Sequence, residues 1–178
     1  MRKNIVLTLT GTDRVGIVDS VTEVLTKYDG NVETSRMARL GGEFAMLMLV
    51  SMPEDQLAVF ADGVESLQQK GFQVTTRRTG QSYEQRYAGW LPYQIEVHGA
   101  DHEGIVHRVA HYLTEHGINI ESMDTGIVSA PMSGTLFFSM NAVVLVPPDM
   151  STEDWQSDLD DVADNLNVEI KVSAKKDK

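Results

Sequence analysis

The sequence contains no cysteine, which removes disulfides, thiolate nucleophiles and Cys-based zinc sites together and excludes a disulfide-stapled secreted fold. Positive charge is also short: 15 Lys and Arg stand against 26 Asp and Glu, a formal charge of −11. Such a balance repels phosphate backbones, so direct, sequence-specific binding of nucleic acid by the chain itself is not expected. The one basic run, around Lys175, Lys176 and Lys178, sits at residues 175–178 and reads as a solubilising tail. No stretch of ~18 apolar residues occurs, and Met1-Arg2-Lys3-Asn4 leads straight into an alternating pattern rather than an apolar signal segment. A cytoplasmic location without membrane contact is the expectation. Gly-x-Ser-x-Gly, a phosphate-binding loop and a dinucleotide fingerprint are all missing, so neither an enzyme nor a bound cofactor is expected.

What the chain does hold is a core and a repeat. Hydrophobic residues make up 42%, enough to fill a globular interior. Sliding the sequence by 88 residues places Gly11, Asp13, Gly16, Ile17, Val18 and Val21 on Gly99, Asp101, Gly104, Ile105, Val106 and Val109. Leu25, Thr26, Asn31 and Glu33 likewise fall on Leu113, Thr114, Asn119 and Glu121. These are ten identities in the 28 ungapped positions from Val6 to Glu33, and an internal repeat organises everything else.

Each copy reads in the same order. Residues 5–10 and 93–98 alternate and are rich in β-branched types, which predicts strands. Ile17, Val18, Val21, Val24 and Leu25 recur at helical spacing, as do Ile105, Val106, Val109, Tyr112 and Leu113. Gly30 and Gly117 are placed to end these helices. Strands follow at 31–40 and 43–52, joined through Gly41-Gly42, a tight-hairpin signal; in copy two the hairpin spans 118–146 with a longer connection at 129–134. The second helices carry Leu57, Phe60, Val64 and Leu67, and Trp155, Leu159, Val162 and Leu166, the latter behind a capping-box pattern at 151–154. Strands at 72–77 and 168–172 close each copy. The expected class is α+β: two ferredoxin-like βαββαβ domains, each a four-stranded antiparallel sheet with two helices on one face. The boundaries are 1–78, a linker at 79–92, and 93–174, with Tyr83, Tyr87 and Trp90 spaced to pack the linker rather than leave it free.

Residues 44–50 are apolar at every position, so both faces of that strand seek burial. The other half of the chain or a second copy would cover the open face, which makes a homo-oligomer the expectation.

The segments Gly11-Thr12-Asp13-Arg14-Val15-Gly16-Ile17-Val18 and Gly99-Ala100-Asp101-His102-Glu103-Gly104-Ile105-Val106 join a strand to a helix start. Free backbone N–H groups and the positive helix end favour a carboxylate there, a glycine lets a ligand approach, and Asp13 or Asp101 can accept an ammonium group. Asn31 and Asn119 can donate and accept at once. The same residues also admit a plainer reading, in which the glycines serve packing, the aspartates cap helices and the asparagines begin strands.

With the strand-opening Asn31-Val32 and Asn119-Ile120, this pattern resembles the ACT domain over nearly the whole chain. Within that family, the tandem form without a catalytic domain is similar to the repressors of the glycine cleavage system. The resemblance implies a non-catalytic regulator binding a small amino acid, glycine or serine, and acting on a protein partner such as a transcriptional activator. It implies ligand residues at Asp13, Arg14, Val15, Gly16 and Asn31, and at Asp101, His102, Gly104 and Asn119. Copy one is favoured over copy two, because Glu103 brings a negative charge to the second helix start. The alternatives are a detached sensing module related to formyltetrahydrofolate deformylase, or a dimerisation protein without a ligand.

All five histidines lie between His98 and His116. His107 and His111 have a metal-chelating spacing, but they match Asp19 and Glu23 of copy one and fall opposite the apolar stripe, so a solvated face rather than a metal is expected. The methionines at 46, 48 and 140 read as core filler.

Overall fold

The computed structural model describes residues 1–80, 86–129 and 135–175, with backbone only at 152–154. The chain divides into two compact units, Met1–Ser82 and Tyr83–Lys178. Unit 1 comprises β1 (Arg2–Thr12), α1 (Ile17–Lys27), β2 (Asn31–Leu40), β3 (Glu43–Pro53), α2 (Glu54–Gln69) and β4 (Gln73–Thr79). Unit 2 comprises β5 (Leu91–Ala100), α3 (Ile105–Glu115), β6 (Asn119–Ser129), β7 (Leu136–Val146), α4 (Thr152–Leu166) and β8 (Val168–Ala174). The sheets run β2-β3-β1-β4 and β6-β7-β5-β8, antiparallel throughout. This is the βαββαβ, ferredoxin-like arrangement twice over.

Alternation sets the two faces of each sheet. Ile5, Leu7 and Leu9 point into the core with Met46, Met48 and Val50, and the helices close over them through Ile17, Val21, Leu25, Phe60 and Leu67. In unit 2, Ile95 and Val97 meet Met140, Ala142 and Val144 under Ile105, Val109, Leu113, Trp155 and Leu159. The Tyr112 hydroxyl donates to the Trp155 carbonyl at 2.5 Å inside this core. Desolvation first, then Asp158, pushes its pKa up to about 12. Both sheets carry the same irregularity, a register shift between Val32 and Thr34 and between Ile120 and Ser122.

Several local expectations change. The left-handed residue ending α1 is Asp29 (φ 53°), not Gly30, whereas Gly117 does hold φ 65° after α3; the 88-residue repeat aligns Asp29, not Gly30, with Gly117. Gly41 and Gly42 both take positive φ, as a two-residue hairpin requires. On β3, Met46, Met48 and Val50 are buried, but Ala45 is exposed and Leu47 remains 48% exposed on the other face. Ser151 makes no side-chain cap at α4, and the side chains of 152–154 lie outside the described residues. Tyr87 and Trp90 pack edge to face at 5.1 Å; Tyr83 and residues 130–134 and 176–178 lie outside the described part.

Candidate functional site

In both units the first strand ends in a turn pinned to the neighbouring hairpin. The Asp13 amide donates to the Gly42 carbonyl, and the Asp101 amide to the Leu136 carbonyl, each at 2.9 Å. The turns close at Gly16 (φ 91°) and Gly104 (φ 95°), left-handed conformations that a side chain resists. Each glycine is the N-cap of its helix, and no side chain caps either one. Asp13 and Asp101 therefore do not cap, and the first-turn N–H groups lack a side-chain acceptor. The Asp13 carboxylate instead lies 3.7 Å from Arg39.

Arg14 and His102, one repeat apart, do the same mechanical job. Arg14 lies over the Phe72 ring at 4.5 Å and donates from Nη2 to the Lys70 carbonyl at 2.5 Å, at the end of α2. His102 Nε2 contacts the Leu166 carbonyl at 2.8 Å, at the end of α4, and Nδ1 contacts the Glu103 carbonyl at 3.1 Å. A cation at a helix C-terminus satisfies an orphan carbonyl and the negative dipole end. Two carbonyl acceptors call for two N–H donors, which only imidazolium has. The Leu166 carbonyl first and the Glu103 carbonyl second accordingly raise the His102 pKa above its ordinary value. Val15 and Glu103 point outward, both exposed.

The unit 2 turn borders a hollow of about 700 Å³. Asp101, His102 and the α3 start at Gly104–His107 form one side, Thr125–Ile127 of β6 the other, with Phe138 also lining it. Val106 and Ile127 are partly exposed apolar walls, 39% and 56%, while Glu103 is not part of the lining. The hollow thus joins an apolar wall to a charged turn with free helix N–H groups.

Asn31 and Asn119 are not brought to their own turns. Asn31 pairs with Ser51 and the turn end Thr12 with Glu43. Those partners lie eight residue steps apart along β3, about 26 Å at ~3.3 Å per residue. Asn119 and Ala100 are separated likewise, through Leu145 and Phe137. Asn31 instead belongs to a second hollow of about 650 Å³ with Arg2, Thr26, Asp29, Gly30, Glu33 and Ser51. There Asn31 Nδ2 and Ser51 Oγ both donate to Glu33 Oε1, at 3.0 and 2.5 Å. Those bonds, Ser51 foremost, lower the Glu33 pKa. Arg2 bridges Ser51 and the Asp29 carbonyl. Glu33 and Glu121 stand among the repeat's identities, yet Arg2 and Ser51 have no polar counterpart in copy two, where Trp90 and Leu145 occupy their places, so only contact geometry reveals this set.

His107 and His111 stack at 5.9 Å on the exposed side of α3, and His111 meets Glu115 at 3.4 Å. Among the described residues no group of three or more His, Asp or Glu could hold a metal ion. Nor is any described helix long and apolar enough to cross a membrane.

The family model for the ACT domain matches residues 3–76. A segment of 47 residues is 45% identical to the glycine cleavage system transcriptional repressor of Escherichia coli, spanning 26% of this chain and 25% of that repressor. A crystal structure of an unknown protein from Galdieria sulphuraria is 33% identical over 99% of this chain and all of that one, with a TM-score of 0.87. A second crystal structure, provisionally assigned as a glycine cleavage system transcriptional repressor, covers 99% of both chains at 22% identity and a TM-score of 0.72, a likeness of fold.

Proposed function

Residues 3–76 form an ACT domain, whose fold the second unit repeats, and from that premise we propose that the chain is a non-catalytic regulator that senses a small amino acid and signals to a protein partner by contact. The carrying observation is the uncapped helix start at Gly104 beside the unit 2 hollow. An amino-acid carboxylate meets the free N–H groups of the first turn of α3, where the helix dipole is positive. Its ammonium group is within the reach of Asp101, and its side chain rests on Val106, Ile127 and Phe138. The two carbonyls at His102 favour its imidazolium form, which sets positive charge against Glu103, and this is why unit 2 takes precedence over unit 1 in this reading although Glu103 alone argues for the reverse. In unit 1, Asp13 is engaged by Arg39.

Similarity to a transcriptional repressor supports a partner in transcriptional control, such as an activator. A formal charge of −11 directs that action to protein rather than to DNA. Glycine and serine are the first ligands to try, and the apolar wall adds amino acids with small aliphatic side chains. Isothermal calorimetry of the full chain against the twenty amino acids tests the reading. Saturable binding of at least one, weakened by Asp101→Ala, is expected; no binding by any would leave a ligand-free scaffold.

A further inference from the structure

Each sheet buries one face beneath its helices and leaves the other open, and the repeat allows the two open faces to be compared position by position. On unit 1, Leu49, Leu47 and Ala45 run down the middle of the open face. The charges of its three central rows are Arg36 on β2, beside Leu47, and Arg77 on β4, beside Val6. On unit 2, the matching column is Val143, Asn141 and Ser139. Its central rows carry Glu96, Asp124 and Glu169 against Lys171, and Lys171 already pairs with Glu169 at 3.1 Å. Arg36 and Asp124 hold equivalent positions with opposite sign. One face is apolar and cationic, the other polar and anionic.

We propose that the open sheet face of unit 1 docks onto the open sheet face of unit 2 of a second copy of the chain, with the reciprocal contact made by the two-fold axis. Pairing like with like is disfavoured: two unit 1 faces would oppose Arg36 and Arg77 to themselves, and two unit 2 faces would stack carboxylates. The whole units point the same way, since unit 1 holds nine Lys and Arg against ten Asp and Glu, and unit 2 six against sixteen. Leu47, 48% exposed, supplies the apolar centre that such a contact covers. Four strands ~4.8 Å apart and about six residues long present roughly 400 Å² per face, so the four faces of a closed dimer bury roughly 1,600 Å², the size of a stable interface. The surface lies on the side of each sheet away from the helices, and it stands whether or not the turns bind an amino acid.

Sedimentation equilibrium of the full chain at micromolar concentration tests this. The wild-type chain sediments as a dimer that weakens as salt rises. Arg36→Glu with Arg77→Glu, and separately Glu96→Lys with Asp124→Lys, each give monomers with unchanged circular dichroism. Mixing the two variants restores a dimer, because each then offers the other two faces of opposite sign. Leu47→Asn, which installs the residue unit 2 carries at the matched position, raises the dimer dissociation constant roughly tenfold. A monomeric wild type, dimers indifferent to both charge reversals, or variants that stay monomeric on mixing would overturn the proposal; the first result would mean that the faces do not join two chains, and the last that the charges of the two faces do not pair with each other.

Discussion

Replacing Gly104 with alanine separates what the turn does for the fold from what it does for a ligand. Gly104 sits at φ 95°, and a Cβ built on it meets no heavy atom within 4 Å; Gly16, at φ 91°, is equally unobstructed. The cost of either substitution is therefore backbone strain without a clash. A non-glycine residue held in the left-handed region costs about 1–2 kcal/mol. In a domain of this size that lowers the melting transition by about 5–10 °C. The assay is calorimetric melting of the full chain with each variant, paired with amino-acid titration. Both variants should lose stability to a similar extent, since the two turns share one geometry. Only Gly104→Ala should also weaken ligand affinity, because the first turn of α3 must tilt to relieve the strain. Unchanged melting in both variants would refute the claim that conformation dictates glycine there. Equal affinity losses would refute the precedence given to unit 2.

Asp101→Ala should weaken amino-acid affinity by about 1.5–3 kcal/mol, the worth of a hydrogen bond to a charged group, while Asn119→Ala at the far end of β6 leaves it unchanged; calorimetry reads both. Because the folded state raises the His102 pKa, its link to Leu166 contributes stability in full below the ordinary histidine value and loses it as pH climbs through the raised one. His102→Arg should flatten the melting temperature of unit 2 across that range, and a wild-type and variant pair with parallel pH profiles would contradict the assignment. Gly63 lies within α2, where alanine ordinarily gains about 1 kcal/mol, but its Cβ would fall 2.7 Å from Tyr28 Cε2 and 2.9 Å from Val24 Cγ1. Overpacking of about 1–3 kcal/mol should cancel or reverse the gain, and a stabilised Gly63→Ala in chemical denaturation would show that α1 and α2 have room to part.

The fold was legible because periodicity and repeat agree: alternation at Ile5, Leu7 and Leu9 and helical spacing at Ile17, Val21 and Leu25 recur 88 residues on, and all but Tyr93, which is partly buried, lie in the core. The turns were legible because glycine at a strand-to-helix junction has few conformational uses. The separation of Asn31 from Asp13 was not, since an asparagine that opens a strand reads alike at either end of a sheet until strand pairing is known. The roles of Arg14 and His102 were hidden for a related reason. Their partners, the carbonyls of Lys70 and Leu166, are backbone atoms 56 and 64 residues away, and backbone acceptors leave no mark on residue type. The apolar run at 44–50 pointed to two buried faces, yet it distinguishes only the core face from a face left for a partner.

The most direct measurement is a titration of the isotope-labelled full chain with amino acids, followed through backbone amide shifts. The account predicts saturable shifts centred on Gly104, Ile105 and Val106 with at least one small amino acid, leaving Asn119 in place. Amides that stay still at the α3 start while every one of the twenty is added to millimolar concentration would contradict it.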